Sequence, residues 1–189
     1  MSDTEDTRTT ASIPAIKHGS DAPISTTRTY LDFNLGSHHF CDTTDANCRV
    51  WNGQQSRPFN QQNYGVGVTQ MKEFWRSDDG AYSASRGFSL GQYHNSLYRQ
   101  SAYLTANGEL NYQWTPKVTL GVGAQVGAVT GYGDQVGPAA HFYTRVEKEL
   151  SEEIAGIRSV FLQLGVIPAA KNATNSTPAR ATARVGVRF

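Results

Sequence analysis

Residues 101–114 alternate without a break. One parity reads Ala102, Leu104, Ala106, Gly108, Leu110, Tyr112 and Trp114, and the other reads Ser101, Tyr103, Thr105, Asn107, Glu109, Asn111 and Gln113. A two-residue period places one apolar and one polar face on a strand. A run of this length exceeds the roughly five or six residues of a typical soluble strand. It meets the roughly 9–11 that a tilted strand needs to cross a hydrocarbon core. Thr115-Pro116-Lys117 then makes a tight turn, because proline cannot donate to a ladder.

The following segment keeps the rule. Val118, Leu120, Val122, Ala124, Val126 and Ala128 share one face, opposite Thr119, Gly121, Gly123, Gln125 and Gly127. Glycines facing a lumen either line an apolar slot or relieve crowding there. Six further segments fit the template: 29–39, 61–74, 85–96, 139–148, 157–166 and 180–189. The last sets Ala181, Ala183, Val185, Val187 and Phe189 against Thr182, Arg184, Gly186 and Arg188. Eight strands make the smallest usual membrane barrel.

Composition narrows the classes. The 17 Lys+Arg nearly balance 16 Asp+Glu, a net charge of +1, so no bulk field recruits nucleic acid. Charged residues make up 17%, below the roughly 25% of soluble domains. No apolar run approaches the ~20 residues of a transmembrane helix, which excludes a helical membrane protein. A soluble lipocalin-like barrel should be apolar inside. Here the polar parity carries Glu109, Gln125, Arg145 and Arg188. That pattern favours lipid outside. The fold expected is therefore an all-β, eight-stranded antiparallel up-and-down transmembrane barrel over 29–189. Residues 1–28 are rich in Thr, Ser, Asp and Pro and are expected as an extended or disordered arm. Their acidic start is no secretory signal, so a leader is either removed or absent.

The connections 40–60, 97–100, 130–138 and 167–179 should then face outside, and 75–84, 115–117 and 149–156 the periplasm. Leu150-Ser151-Glu152-Glu153 is expected as a solvated turn. His38 and His39 close the first strand, and Asn95 and Ser96 the third, so both strand ends lie at the same outer rim, as a His–Ser pair or as ordinary rim polar residues. A His beside a Ser is the minimum for acyl transfer: the imidazole takes the hydroxyl proton as attack occurs. Strand parity, however, groups His39 with Leu31, Phe33 and Leu35 on the outward face, unless a bulge precedes it. Cys41 and Cys48 lie in the first long loop, where a disulfide would close a small ring. Neither a metal nor a cofactor is expected, since His38 and His39 alone form no ligand spacing.

The motifs Ser37-His38-His39-Phe40, Phe59-Asn60-Gln61-Gln62-Asn63-Tyr64-Gly65-Val66-Gly67 and Tyr93-His94-Asn95-Ser96 occur in that order. Together they resemble the lipid A palmitoyltransferase family of Gram-negative outer membranes. The similarity continues through Leu120-Gly121-Val122-Gly123 to Val129-Thr130 and Val166-Ile167-Pro168, and covers roughly 30–189. It implies an eight-stranded barrel in the bacterial outer membrane that moves an acyl chain from a phospholipid to lipopolysaccharide, working as a monomer. It implies His39, Asn95 and Ser96 as the catalytic set, with His38 standing where the family has an aromatic and Asn95 where it has Asp. Asn60, Asn63, Arg99, Gly121 and Gly123 are the implied substrate-binding positions, Arg99 as a phosphate ligand or a substitute polar partner. The competing expectation is a non-enzymatic barrel, structural, adhesive or phage-related, whose long loop binds a partner.

Overall fold

A computed structural model describes residues 26–41, 49–51, 56–132, 136–171 and 176–189. The expected N-terminal arm lies outside the described residues up to residue 25, and so does Cys48, with the disulfide it would make. In chain order the strands are β1 (Thr27–His39), β2 (Arg49–Trp51), β3 (Ser56–Pro58), β4 (Gly65–Arg76), β5 (Tyr82–His94), β6 (Gln100–Thr115), β7 (Val118–Val129), β8 (Gly137–Ile154), β9 (Ile157–Ile167), β10 (Ala170–Lys171), β11 (Ser176–Thr177) and β12 (Arg180–Arg188). Eight of them close into one antiparallel barrel of order β1-β12-β9-β8-β7-β6-β5-β4. Each barrel strand pairs with its nearest barrel neighbours in sequence, and β1 with β12 makes the closing seam. The pairs β2–β3 and β10–β11 are small hairpins in the two longest loops.

Alternation explains the strands. Along β6, Ser101, Tyr103, Thr105, Asn107, Glu109 and Asn111 are buried, and every residue between them is exposed. Leu104, Leu110 and Trp114 are each 57–63% exposed. The same division runs round the barrel, so the lumen is polar and the outer wall apolar. Ser89, Gln125, Gln163, Arg145 and Glu147 are buried, whereas Phe88, Val122, Val126, Phe142 and Leu164 are exposed.

Several boundaries differ from the sequence expectation. β4 begins at Gly65, because 59–64 spend their polar groups on the rim. β5 ends at His94, so Asn95 and Ser96 fall in the turn beyond it. The stretch 150–153, expected as a solvated turn, continues β8 to Ile154. The chain reverses at Ala155 and Gly156, whose φ angles of 52° and 83° are the positive pair that a two-residue hairpin turn requires.

The lumen below the rim is filled. Arg145 pairs with Glu109, and its guanidinium lies 4.5 Å from the Tyr30 ring centroid and 5.4 Å from that of Phe161. Glu147 accepts from Ser159 Oγ at 2.6 Å and from Tyr30 at 3.2 Å. Gly121 and Gly123 lie in this packed zone. A Cβ at Gly123 would strike the Tyr143 ring, and one at Gly121 would press on Asn111 and Glu109. These glycines therefore make room for neighbouring side chains, not for an acyl chain.

A buried charge stripped of its partner is strongly destabilising, by about 3–5 kcal/mol. Arg145→Met should lower the unfolding free energy in micelles by that order, read from a urea titration. Adding Glu109→Gln to that variant should restore most of the loss.

Candidate active site at the barrel rim

The end of the barrel that carries His39 also carries the start of β4, the end of β5 and the start of β12. β1 holds a bulge at Leu35. Asn34 pairs with Arg184, but Gly36 pairs with Ala183, so one residue is extra. An extra residue reverses parity beyond it. His39 therefore turns inward, 3% exposed, and sits directly across the seam from Arg180. The outward placement drawn from parity is corrected by this bulge; His38 takes the outward position instead.

His39 Nε2 lies 2.8 Å from Ser96 Oγ. Its ring stacks on Phe59, with centroids 4.8 Å apart and planes 18° from parallel. Ser96 is fully buried. Its Oγ also receives hydrogen bonds from Arg180 Nη1 at 3.0 Å and Asn63 Nδ2 at 3.3 Å. A guanidinium can only donate, and the Asn63 amide here does too. The hydroxyl proton is thus left to point at His39 Nε2, which must be the unprotonated nitrogen. The proton then sits on Nδ1, which is buried and has no acceptor among the described residues. This is the arrangement of a base about to take a serine proton.

Burial, the neighbouring Arg180 charge and then His38 push the His39 pKa down to about 4. The imidazole is neutral above that pH and competent as a base, though a weak one. Arg180 opposes an imidazolium but favours negative charge on Ser96 Oγ or on an oxyanion beside it.

Asn95 does not orient His39, which corrects the role that the sequence suggested. Its Nδ2 donates to Ser101 Oγ at 2.9 Å and to the Gly131 carbonyl at 2.8 Å. Its Oδ1 accepts from the backbone N–H groups of Leu97 at 2.8 Å and Arg99 at 2.9 Å. The side chain is fully engaged in fixing the turn that presents Ser96. Gly131 allows the close approach: its φ is +85°, and a Cβ there would lie 2.9 Å from Asn95 Nδ2. Asn60 braces the same turn, its backbone N–H donating to the Ser96 carbonyl at 2.9 Å and its Nδ2 to the Asn95 carbonyl at 3.2 Å. Arg99 is exposed and does not reach Ser96. Cys41 follows the site, its N–H bonded to the His39 carbonyl at 3.0 Å. Gly121 and Gly123 lie deeper, away from this cluster.

Arg180 is the functional residue that the sequence reading passed over. Its signal was present: it opens the last strand on the same parity as Arg184 and Arg188. Beside the site is a cavity of about 400 Å³ lined by Asn63, Tyr93, Tyr103, His141, Arg180 and Arg184, among others. Above it the wall between β8 and β9 is unpaired. Their ladder starts only at Phe142 with Val166, so Gly137–His141 have no β9 partner. Pro138 and Pro168 flank this interval, and neither can donate to a ladder.

No family model matches this sequence, and no curated protein does so either.

Asn95→Asp tests the turn. A carboxylate cannot donate to Ser101 and Gly131, so stability should fall by about 1–3 kcal/mol. The comparison is thermal unfolding beside the His39 NMR signal. His39 should titrate near pH 4 in the wild-type chain. In Arg180→Gln the midpoint should rise, because a neighbouring positive charge is gone. An unmoved midpoint would remove Arg180 from the electrostatics of the site.

Proposed function

We propose that the chain is an outer-membrane acyltransferase that takes an acyl chain from a phospholipid to lipid A or a related lipopolysaccharide acceptor, using Ser96 and His39 at the outer rim. The observation that carries the reading is the contact between His39 Nε2 and Ser96 Oγ, with Arg180 and Asn63 donating to the same oxygen. Three other segments of the chain converge on the Ser96 hydroxyl, which is more than a rim polar residue needs.

The barrel's polarity supports a membrane setting. Its outer wall is apolar and its lumen polar, the reverse of a soluble binding barrel. The outward apolar residues of β1 end at Leu35, four residues before His39, and the site lies at the rim end of the wall. The unpaired interval between β8 and β9 gives a lipid a sideways approach to the chamber that Asn63 and Arg180 line.

In this reading Ser96 Oγ attacks the ester carbonyl of the phospholipid. Its proton passes to His39 Nε2, and Arg180 and Asn63 are the donors nearest the charge that develops. The lyso-lipid alkoxide leaves with the proton from His39. The acceptor hydroxyl then attacks the acyl-serine, gives its proton to His39, and Ser96 regains one. His39 lacks a carboxylate partner, so turnover rests on the cation at Ser96 more than on a strong base.

One observation favours the second reading, a non-enzymatic structural or binding barrel: Nδ1 of His39 has no acceptor among the described residues, so none of them holds the imidazolium that transfer would form. Mass spectrometry of lipid A from cells exporting the chain separates the two. An added acyl chain is expected, absent in Ser96→Ala and reduced by about 10²–10⁴ in His39→Ala. An unmodified lipid A with the barrel folded in the membrane would reject acyl transfer.

A further inference from the structure

The chamber next to Ser96 has apolar wall from Val129, Ala140 and Ile167, but it is not lined by carbon alone. It holds two guanidinium groups, from Arg180 and Arg184, at 5% and 8% exposure. Arg180 has no ion-pair partner among the described residues. One of its nitrogens is on Ser96, and its plane lies 5.2 Å from the Tyr132 ring centroid. Arg184 Nη1 donates to Gln125 Oε1 at 3.3 Å, and its plane lies 5.6 Å from the Tyr103 ring centroid. Its nearest carboxylate is Asp32, 4.0 Å away and already receiving Thr69 Oγ1 at 3.2 Å. Arg184 Nε is buried with no hydrogen-bond partner among the described residues.

Two buried cations, with a single carboxylate 4.0 Å from Arg184 and none on Arg180 among the described residues, leave positive charge only partly compensated. Buried charge without a partner is costly, and a guanidinium meets it best with a phosphate or carboxylate. The remaining lining is mixed, with Val129, Pro138 and Ile167 beside side chains suited to hydroxyl groups. Asn34, Tyr93, Tyr103, Thr105, Gln125 and His141 all present amide, hydroxyl or imidazole groups. A volume of about 400 Å³ lies within the range of small-molecule sites, roughly 300–1,000 Å³.

We infer that this chamber is a binding site for a phosphorylated polyol, with the phosphate on Arg184 and the hydroxyl groups on the surrounding amides and phenols. A glycerophosphate headgroup of a lipid and a free sugar or glycerol phosphate share that chemistry. The site stands on its own residues and does not require acyl transfer. Binding is read directly, so failure of the titration leaves the transfer reading standing, and failure of transfer leaves this one standing.

The experiment is calorimetric titration of the folded barrel in neutral detergent. The soluble probe is glycerol 3-phosphate, with glycerol as the uncharged control. The lipid probe is dihexanoylphosphatidylglycerol, with dihexanoylglycerol as its control. The expected result is one-to-one binding of a phosphate probe and none of its control. Arg184→Gln should weaken binding about ten- to a hundredfold, the loss expected for a charged hydrogen bond. Ala139→Trp fills the chamber from its β8 wall while keeping both arginines in the chain, and should abolish binding. It keeps the test open if Arg184→Gln does not fold, which circular dichroism decides. Binding of the soluble probe points to a free ligand; binding of the lipid probe alone points to a headgroup; either supports the site. Binding of neither, or binding indifferent to whichever of the two variants folds, would overturn it.

Discussion

The seam between β1 and β12, with its one-residue bulge at Leu35, decides what the rim can be. Without the extra residue the ladder would continue evenly, and His38 would stand across from Arg180. With it, His39 takes that place and turns into the lumen. Everything at the site follows from this slip. The imidazole meets Ser96, Phe59 covers its face, and Arg180 reaches the same oxygen from the opposite strand. A sheet side chain has only two faces to choose between, so a single inserted residue is enough to move one from wall to lumen.

Much of the barrel was legible in the sequence because its period is simple. The alternation of 101–114 and 118–128 gave the inward and outward faces, and these are the faces that the structure has. The boundaries were less legible. The polar run at 150–153 reads as a turn, yet it is strand, since a hairpin with φ of 52° and 83° at Ala155 and Gly156 fixes the reversal beyond it. Local polarity says where a strand can be wet, not where it must end.

The site was legible in part. Its His, Ser and Asn63 came from motifs that sit at strand ends. The bulge was not legible, because nothing about Leu35 or Gly36 distinguishes a slipped ladder from an even one. The role of Asn95 was not either. An amide at that position reads as a replaced carboxylate, but its two N–H donors are committed to Ser101 and Gly131. The polar chamber was half visible, in the arginines of the last strand's inward parity, while the shortage of acids around them is a matter of three-dimensional neighbours.

The order in which the parts meet has its own consequence. β1, β4 and β5 are adjacent both in sequence and in the sheet, so His39 and Ser96 can meet through contacts between near neighbours. Arg180 arrives only with β12, across contacts that span nearly the whole chain. Contacts of that separation form late, because the loop they close is long. A barrel caught before closure would hold the imidazole and the hydroxyl without the cation. The cluster around Ser96 is therefore completed by the same event that removes the last open strand edges, and an unfinished barrel carries an unfinished site.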